Sequence, residues 1–532
     1  MTVTAPLSTD STSQFAATRE RLRSYAIFLI SAGLYLLPFM RLYLVGTDEG
    51  TLDYGAVRVF HGQVFARDFF EVIGPGTFYW IAAFFKIFGA GFFATRVCLF
   101  LTSLGVAVLM YCLTRKICNN HQALPVLVLA STIFGGLWPA TSHHIDSTLF
   151  ALLAVYCAAA WLQRRNAMLL LLTGALAGLT TAFLQPKGVL LFCALLVWLA
   201  VLRRRRPASL GFLIGGYLAS IGLILVYFWS KNALGSLIFV NFIWPSQHYG
   251  TVNSVSYAHG IVSYYFNHWI VAKAGDRWTV LIAIIGIIPV LFVAALPVLL
   301  PALGVRFRWR LADPVVLLYW LCGIAIWLSE LHRMDMPRLV FGSPLLIILC
   351  IYFLAQYPGG TAHLALQTLF VASCSLAAFN LLSLLLAAHA VPTRAGTVEM
   401  TKDSSLLSYV DNHIPPGQEI FAYPYSPRYY FLTDTVNPTP YSILVYNYNT
   451  PEQFRETVGI LERRKVRYVL WDSNFARATA DVFPGSTRVP PGGLIIEPYL
   501  ESHYKLVQTV AGVRIMERRD DQSTDQEVRA AQ

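Results

Sequence analysis

Charge is scarce in this 532-residue chain: 13% of its residues are Asp, Glu, Lys or Arg, and 56% are hydrophobic. Soluble domains carry about a quarter charged residues and interrupt their apolar runs often, so a water-soluble globular enzyme is excluded. Acidic residues are the scarcer sign, 29 against 40 Lys and Arg, for a formal net charge of +11. That excess does not point to nucleic acid, because it is concentrated in short connectors: Arg115-Lys116, Arg164-Arg165, Arg203 to Arg206, and Arg306/Arg308/Arg310. Positive charge resists translocation, so basic connectors between apolar runs mark the cytoplasmic side. Cysteine is also uninformative as a framework. Seven of the eight cysteines lie inside apolar runs, Cys118 lies in a cytoplasmic connector, and no CxxC pair occurs. Neither a disulfide scaffold nor a thiolate metal site is indicated. No internal repeat is evident, which weighs against the repeat-built transporters.

What is abundant is apolar sequence of bilayer-crossing length. The first run, residues 24–45, follows a polar tail with Arg19, Arg21 and Arg23, and no small-residue cleavage pattern follows it, so it reads as an anchor. With the basic clusters inside, crossings are expected at 24–45, 92–114, 124–139, 147–162, 167–185, 188–202, 209–229, 278–300, 313–329, 339–356 and 364–390. Every cluster then falls on one side of about eleven spans. The apolar segment Gly76 to Gly89 is too short to cross: about fourteen helical residues rise about 21 Å, less than the roughly 30 Å hydrocarbon core. It reads as a half helix in the outer interface. The expected architecture is an all-α polytopic membrane domain at 24–390, after a cytoplasmic tail at 1–23. A small extracytoplasmic α/β domain at 391–519 follows, read from short β-like runs (419–423, 467–471, 504–515) around an amphipathic stretch at 451–465. Residues 520–532 are polar and expected to be disordered.

Ionisable residues near hydrocarbon are costly and tend to face cavities. In this topology they gather on the outer side. The densest group is Asp48-Glu49, Asp53, Arg58, His61, Arg67-Asp68 and Glu71, all in the loop at 46–91. Leu52, Ala56, Val59 and Phe60 follow a helical spacing suited to lying on a membrane. Asp-Phe-Phe-Glu and Gly-Pro-Gly then lead into the aromatic half helix.

The ordered set GTDEGTLDYGAVRVFHGQVFARDFFEVIGPGTFYW resembles the first extracytoplasmic loop of the GT-C glycosyltransferases. It is most similar to the branch that uses polyprenyl-phosphate sugars, protein O-mannosyltransferases and the lipid A aminoarabinose transferases. The resemblance implies sugar transfer from a lipid-phosphate donor to a glycan, lipid or protein acceptor, outside the cell (inner) membrane. It makes Asp48 the catalytic base with Glu49 beside it, and Asp68 and Glu71 supporting carboxylates. In some relatives the Glu71 position helps bind a divalent metal; the cofactor is left open here, with such an ion as one option.

The chemistry needs a base for the acceptor hydroxyl and cations for the departing phosphate. Outer-side cations are few. Lys187, between two spans, and Arg333 and Arg338, in Glu330-Leu-His332-Arg333-Met-Asp335-Met-Pro-Arg338, are the candidates, arginine being suited to forked phosphate contacts. His143, His144 and Asp146, at another outer turn, could ligate metal or position an acceptor, as could Glu330, His332, Asp335 and His248. The alternative function is transport or flipping of a lipid-linked glycan, and a non-catalytic scaffold is a third class. Neither the sugar, the acceptor nor the oligomeric state is legible.

Overall fold

The computed structural model describes residues 10–44, 48–202, 208–249, 277–331, 333, 335–473, 475 and 493–519. Among them, six helices are long and apolar enough to cross a membrane: Arg23–Arg41, Phe92–Thr114, His143–Arg164, Ser209–Ser230, Ile287–Arg306 and Gly360–Ala387. Shorter apolar helices stand at the other five expected positions, namely Ala123–Gly136, Ala167–Phe183, Gln185–Val201, Pro314–Leu328 and Pro344–Ala355. Gly76–Phe88 is a separate half helix. The chain is a multi-pass membrane protein.

Three boundaries differ from expectation for local reasons. The helix His143–Arg164 begins four residues before the expected crossing at 147, because Ser142 caps it by accepting from the His144 amide (3.3 Å). His143, His144 and Asp146 therefore sit on its first turn. The span expected at 339–356 is broken at Ser343 into Met336–Gly342 and Pro344–Ala355, since Pro344 cannot continue the preceding helix. Asn120–Ser131 passes into a wide turn at Thr132–Gly136. Gly135 and Gly136 there lie so close to Leu36 and Tyr35 that a Cβ would collide with both.

The first outer loop is not laid flat on a surface. Its helix Glu49–Phe60 is buried on every face from Glu49 to Ala56, enclosed by the half helix on one side and the C-terminal domain on the other. A Cβ on Gly55 would meet the Phe78 ring at 2.5 Å, and one on Gly50 would meet the Arg428 backbone nitrogen at 2.7 Å. Glycine at these two places lets the half helix and the C-terminal domain both close on one helix. Gly74 packs equally tightly, its Cβ position 2.3 Å from the Ala182 carbonyl oxygen, so the Gly-Pro-Gly break fits the loop against the helix Ala167–Phe183.

The C-terminal unit is a small α/β domain. A hairpin of β1 (His389–Thr393) and β2 (Gly396–Met400) ties back to the first span, where the Tyr43 amide donates to the Glu399 carbonyl (2.8 Å). A four-stranded mixed sheet follows, in the order β3-β4-β6-β5. In it β3 (Ile420–Tyr423) is parallel to β4 (Tyr468–Trp471), and β6 (Val513–Arg518) is antiparallel to both β4 and β5 (Tyr504–Val510). The run expected as one strand at 504–515 is a hairpin, because Ala511 and Gly512 both take positive φ (50° and 80°). The helix Pro451–Arg463 starts in a capping box between Thr450 and Gln453. One hydrophobic cluster joins Leu52, Phe65 and Phe78 of the loop to Val398, Tyr430 and Ile515 of the domain. Loop and domain share a core.

Candidate active site

A cavity of about 710 Å³ opens where the outer loop, the helix ends and the C-terminal domain meet. Asp48 and Glu71 line one part of its wall; His143, His144, Arg333 and Arg338 line another. The volume suits a small-molecule site, and the opposed signs give it a direction.

Asp48 precedes the loop helix and is exposed. Tyr425, from the segment after β3, donates its hydroxyl to Asp48 Oδ1 (2.8 Å) and accepts from Thr51 Oγ1 (3.3 Å). Burial and the Asp48 carboxylate push the Tyr425 hydroxyl well up, so it keeps its proton and donates. Glu71 lies at a β-bridge between Phe70 and Tyr441, with the Phe70 amide on the Pro440 carbonyl (2.9 Å). Its carboxyl is 2% exposed, is hydrogen-bonded by Ser442, and leaves Oε1 without a partner. Burial pushes it up to about 8, against the opposing pull of Ser442 and Arg58. Glu71 is thus a neutral acid near pH 7 beside the exposed Asp48.

Glu49 does not reach the cavity. It is fully buried, paired with Arg96, and accepts from the amides of Thr141 (3.0 Å) and Leu44 (3.2 Å). Asp53 accepts from Thr141 Oγ1 (3.1 Å), and burial and the Glu49 charge hold its carboxyl well above the carboxylate range. The Glu49–Arg96 pair anchors the loop helix to the second span, and Thr141 holds Asp53. Asp68 is also turned away. It pairs with Arg67 (2.8 Å) and accepts from the Val64 amide (2.6 Å), closing its own turn.

On the basic side, Asp335 binds Arg333 (2.9 Å) and Arg338, and caps Met336–Gly342. Burial opposes its charge, but the two arginines outweigh it and hold the carboxyl below the usual range. Lys187, expected at the phosphate, is fully buried behind the wall, bonded to Glu330 (2.9 Å), Thr148 Oγ1 (3.0 Å) and the His144 carbonyl (3.3 Å). Glu330 also binds His144 Nδ1 (3.0 Å), and although burial opposes its charge, its two partners His144 and Lys187 hold its carboxyl well below the usual range. Asp146 accepts from Thr77 Oγ1 (2.9 Å), fastening the half helix to the span. His248 stacks on Trp244 (5.3 Å) and does not line the cavity. His332 lies outside the described residues. Among the described residues no group of three or more His, Cys, Asp or Glu side chains is disposed to hold a metal ion.

Sequence reasoning missed Tyr425, Thr141 and Arg96. Tyr425 lies 377 residues from Asp48 and carries no local signal. Arg96 was readable: it is a cation inside an apolar span, where an unpaired charge would be costly.

Fold and cavity together define a multi-pass membrane protein with carboxyl groups and arginines lining one site at the helix ends. Residues 73–230 match the family of dolichyl-phosphate-mannose-protein mannosyltransferases. Among solved structures, the chain is similar to ArnT from Cupriavidus metallidurans bound to undecaprenyl phosphate, at 11% identity and TM-score 0.58, covering 93% of this chain and 98% of that one. The apo form of the same ArnT gives 13% and 0.57, over 94% and 98%. The apo oligosaccharyltransferase of Archaeoglobus fulgidus gives 11% and 0.50, over 93% and 74%. No curated protein matches the sequence. The chain therefore shares its fold with these solved structures over nearly its whole length, and the family match falls within that fold.

Proposed function

We propose that the protein transfers a sugar from a polyprenyl-phosphate donor to an acceptor hydroxyl on the outer side of the cell (inner) membrane. In this reading all eleven apolar helices cross, and residues 391–519 stand outside. The observation that carries it is the one cavity lined by Asp48 and Glu71 together with Arg333 and Arg338. The acceptor oxygen attacks C1 of the sugar from the side opposite the phosphate, and its proton passes to Asp48. The electron pair of the breaking C1–O bond goes to the phosphate, whose growing charge falls toward the arginines. Inversion at C1 follows. Neutral Glu71 is a hydrogen-bond donor to the sugar or the acceptor. The undecaprenyl phosphate bound by ArnT supports a lipid-phosphate donor.

The test is transfer by purified protein from polyprenyl-phosphate sugars to a candidate acceptor. Asp48→Asn is expected to abolish it while leaving folding intact; full activity in that variant would overturn the assignment of the base.

A further inference from the structure

Two groups at the basic wall are unused by the scheme above. His144 lines the cavity, is 5% exposed, and its Nε2 has no hydrogen-bond partner. Its other nitrogen is fixed: Nδ1 meets both carboxylate oxygens of Glu330, at 3.1 Å and 3.0 Å. Lys187 grips the same carboxylate from the far side at 2.9 Å. A carboxylate accepts only, so Nδ1 carries the hydrogen and Nε2 is the atom presented to the cavity. The ring cannot turn away easily, because it stacks on Phe341 (5.7 Å, interplanar 5°) and against His143 (4.0 Å). This is the arrangement of an oriented imidazole, its tautomer set from behind.

Charge counting says what it would serve. The charged groups around the ring are Lys187 from Gln185–Val201, Glu330 after Pro314–Leu328, and Arg333, Asp335 and Arg338 around Met336–Gly342; His143 is the neighbour on its own helix. Three fixed cations face two carboxylates, a surplus of one positive charge. A phosphodiester donor brings one negative charge and balances it. Cleavage of C1–O leaves a phosphate monoester with a second negative charge that this count, made over the described residues, leaves unmatched.

We infer that His144 is the proton carrier for the departing lipid phosphate, with Glu330 and Lys187 as its positioning residues. This rests on the transfer reading above. The C1–O electron pair goes to phosphate, the acceptor proton goes to Asp48, and a proton from solvent goes to His144 Nε2, which shares it with a phosphate oxygen. When the lipid phosphate departs, the proton returns to water.

The test is calorimetric binding of a water-soluble short-chain polyprenyl monophosphate at pH 8, in two buffers of different ionisation enthalpy. The wild type is expected to take up close to one proton per ligand. His144→Gln is expected to take up almost none and to bind about tenfold more weakly, the scale of one lost charge-assisted hydrogen bond. His144→Asn, whose amide can reach Glu330 but not the cavity, is expected to behave the same way and covers the case of a Gln variant that does not fold. Glu330→Gln should retain binding with reduced uptake. Equal uptake and equal affinity in the folded His144 variants would overturn the inference alone; failure of the wild type to bind the lipid phosphate would overturn the transfer reading with it.

Discussion

Glu71 is held as a neutral acid, and replacing it with Gln tests this through pH. Its carboxyl is raised from 4.5 to about 8 by burial, and an amide mimics the protonated form at nearly the same volume. The sign follows from linkage. Between pH 4.5 and 8 the folded state holds a proton that the unfolded chain has released, so stability falls as pH rises through that window and the fall levels off above 8. The slope is about 1.4 kcal/mol per pH unit for one group. From pH 5.5 to 8, with the carboxyl at about 8, this amounts to about 3 kcal/mol. The assay is unfolding of wild type and Glu71→Gln in the same detergent across that range. The variant should become progressively more stable relative to wild type, by about 3 kcal/mol at pH 8. A difference between the two proteins that stays constant with pH would refute the neutral-acid assignment. Transfer activity gives a second readout: the wild-type rate should fall above pH 8 as Glu71 ionises beside Asp48, and the variant should lack that limb.

Other expectations follow from single contacts. Tyr425→Phe removes the donor to Asp48 and should lower kcat about tenfold or more with little change in KM, since a hydrogen bond to a charged group is worth about 1.5–3 kcal/mol; unchanged kinetics would detach the C-terminal domain from the chemistry. Arg96→Met leaves Glu49 buried without its cation and should destabilise the protein by about 3–5 kcal/mol, read as a lowered unfolding midpoint with the loop opened to protease.

Much of this was legible in the sequence, and the limits are physical. The spans, the half helix, the strands at 420–423 and 468–471 and the helix Pro451–Arg463 are all set by local periodicity or turn residues. The cavity members Asp48, Glu71, Arg333 and Arg338 could be picked because ionisable residues at helix ends are few. What local sequence does not encode is which way a side chain turns. Glu49 adjoins Asp48 yet meets Arg96 in place of the cavity, because one residue along a helix rotates a side chain by about 100°. Lys187 likewise sits on the correct helix end but points behind the wall to Glu330. Tyr425 reaches the site only through tertiary packing, as does the pairing of His144 with a glutamate 186 residues away.

The position of Tyr425 makes the C-terminal domain part of the site rather than an attachment to it. Asp48 stands at the beginning of a helix whose next eight residues are buried, and the bond that orients its carboxylate comes from the domain. The two are locked by a common core and by backbone approach at Gly50, with no room for a methyl group. A rotation of the domain would therefore move the Tyr425 hydroxyl off Asp48, while Arg333, Arg338 and His144, held by membrane helices and their connections, would stay in place. The phosphate end of the cavity can thus remain formed when the base end is not. Lipid phosphate binding would survive domain displacement, and transfer would not. The base is carried by the outer loop and its hydroxyl partner by the domain, so in the proposed transfer the reaction requires the domain to be docked.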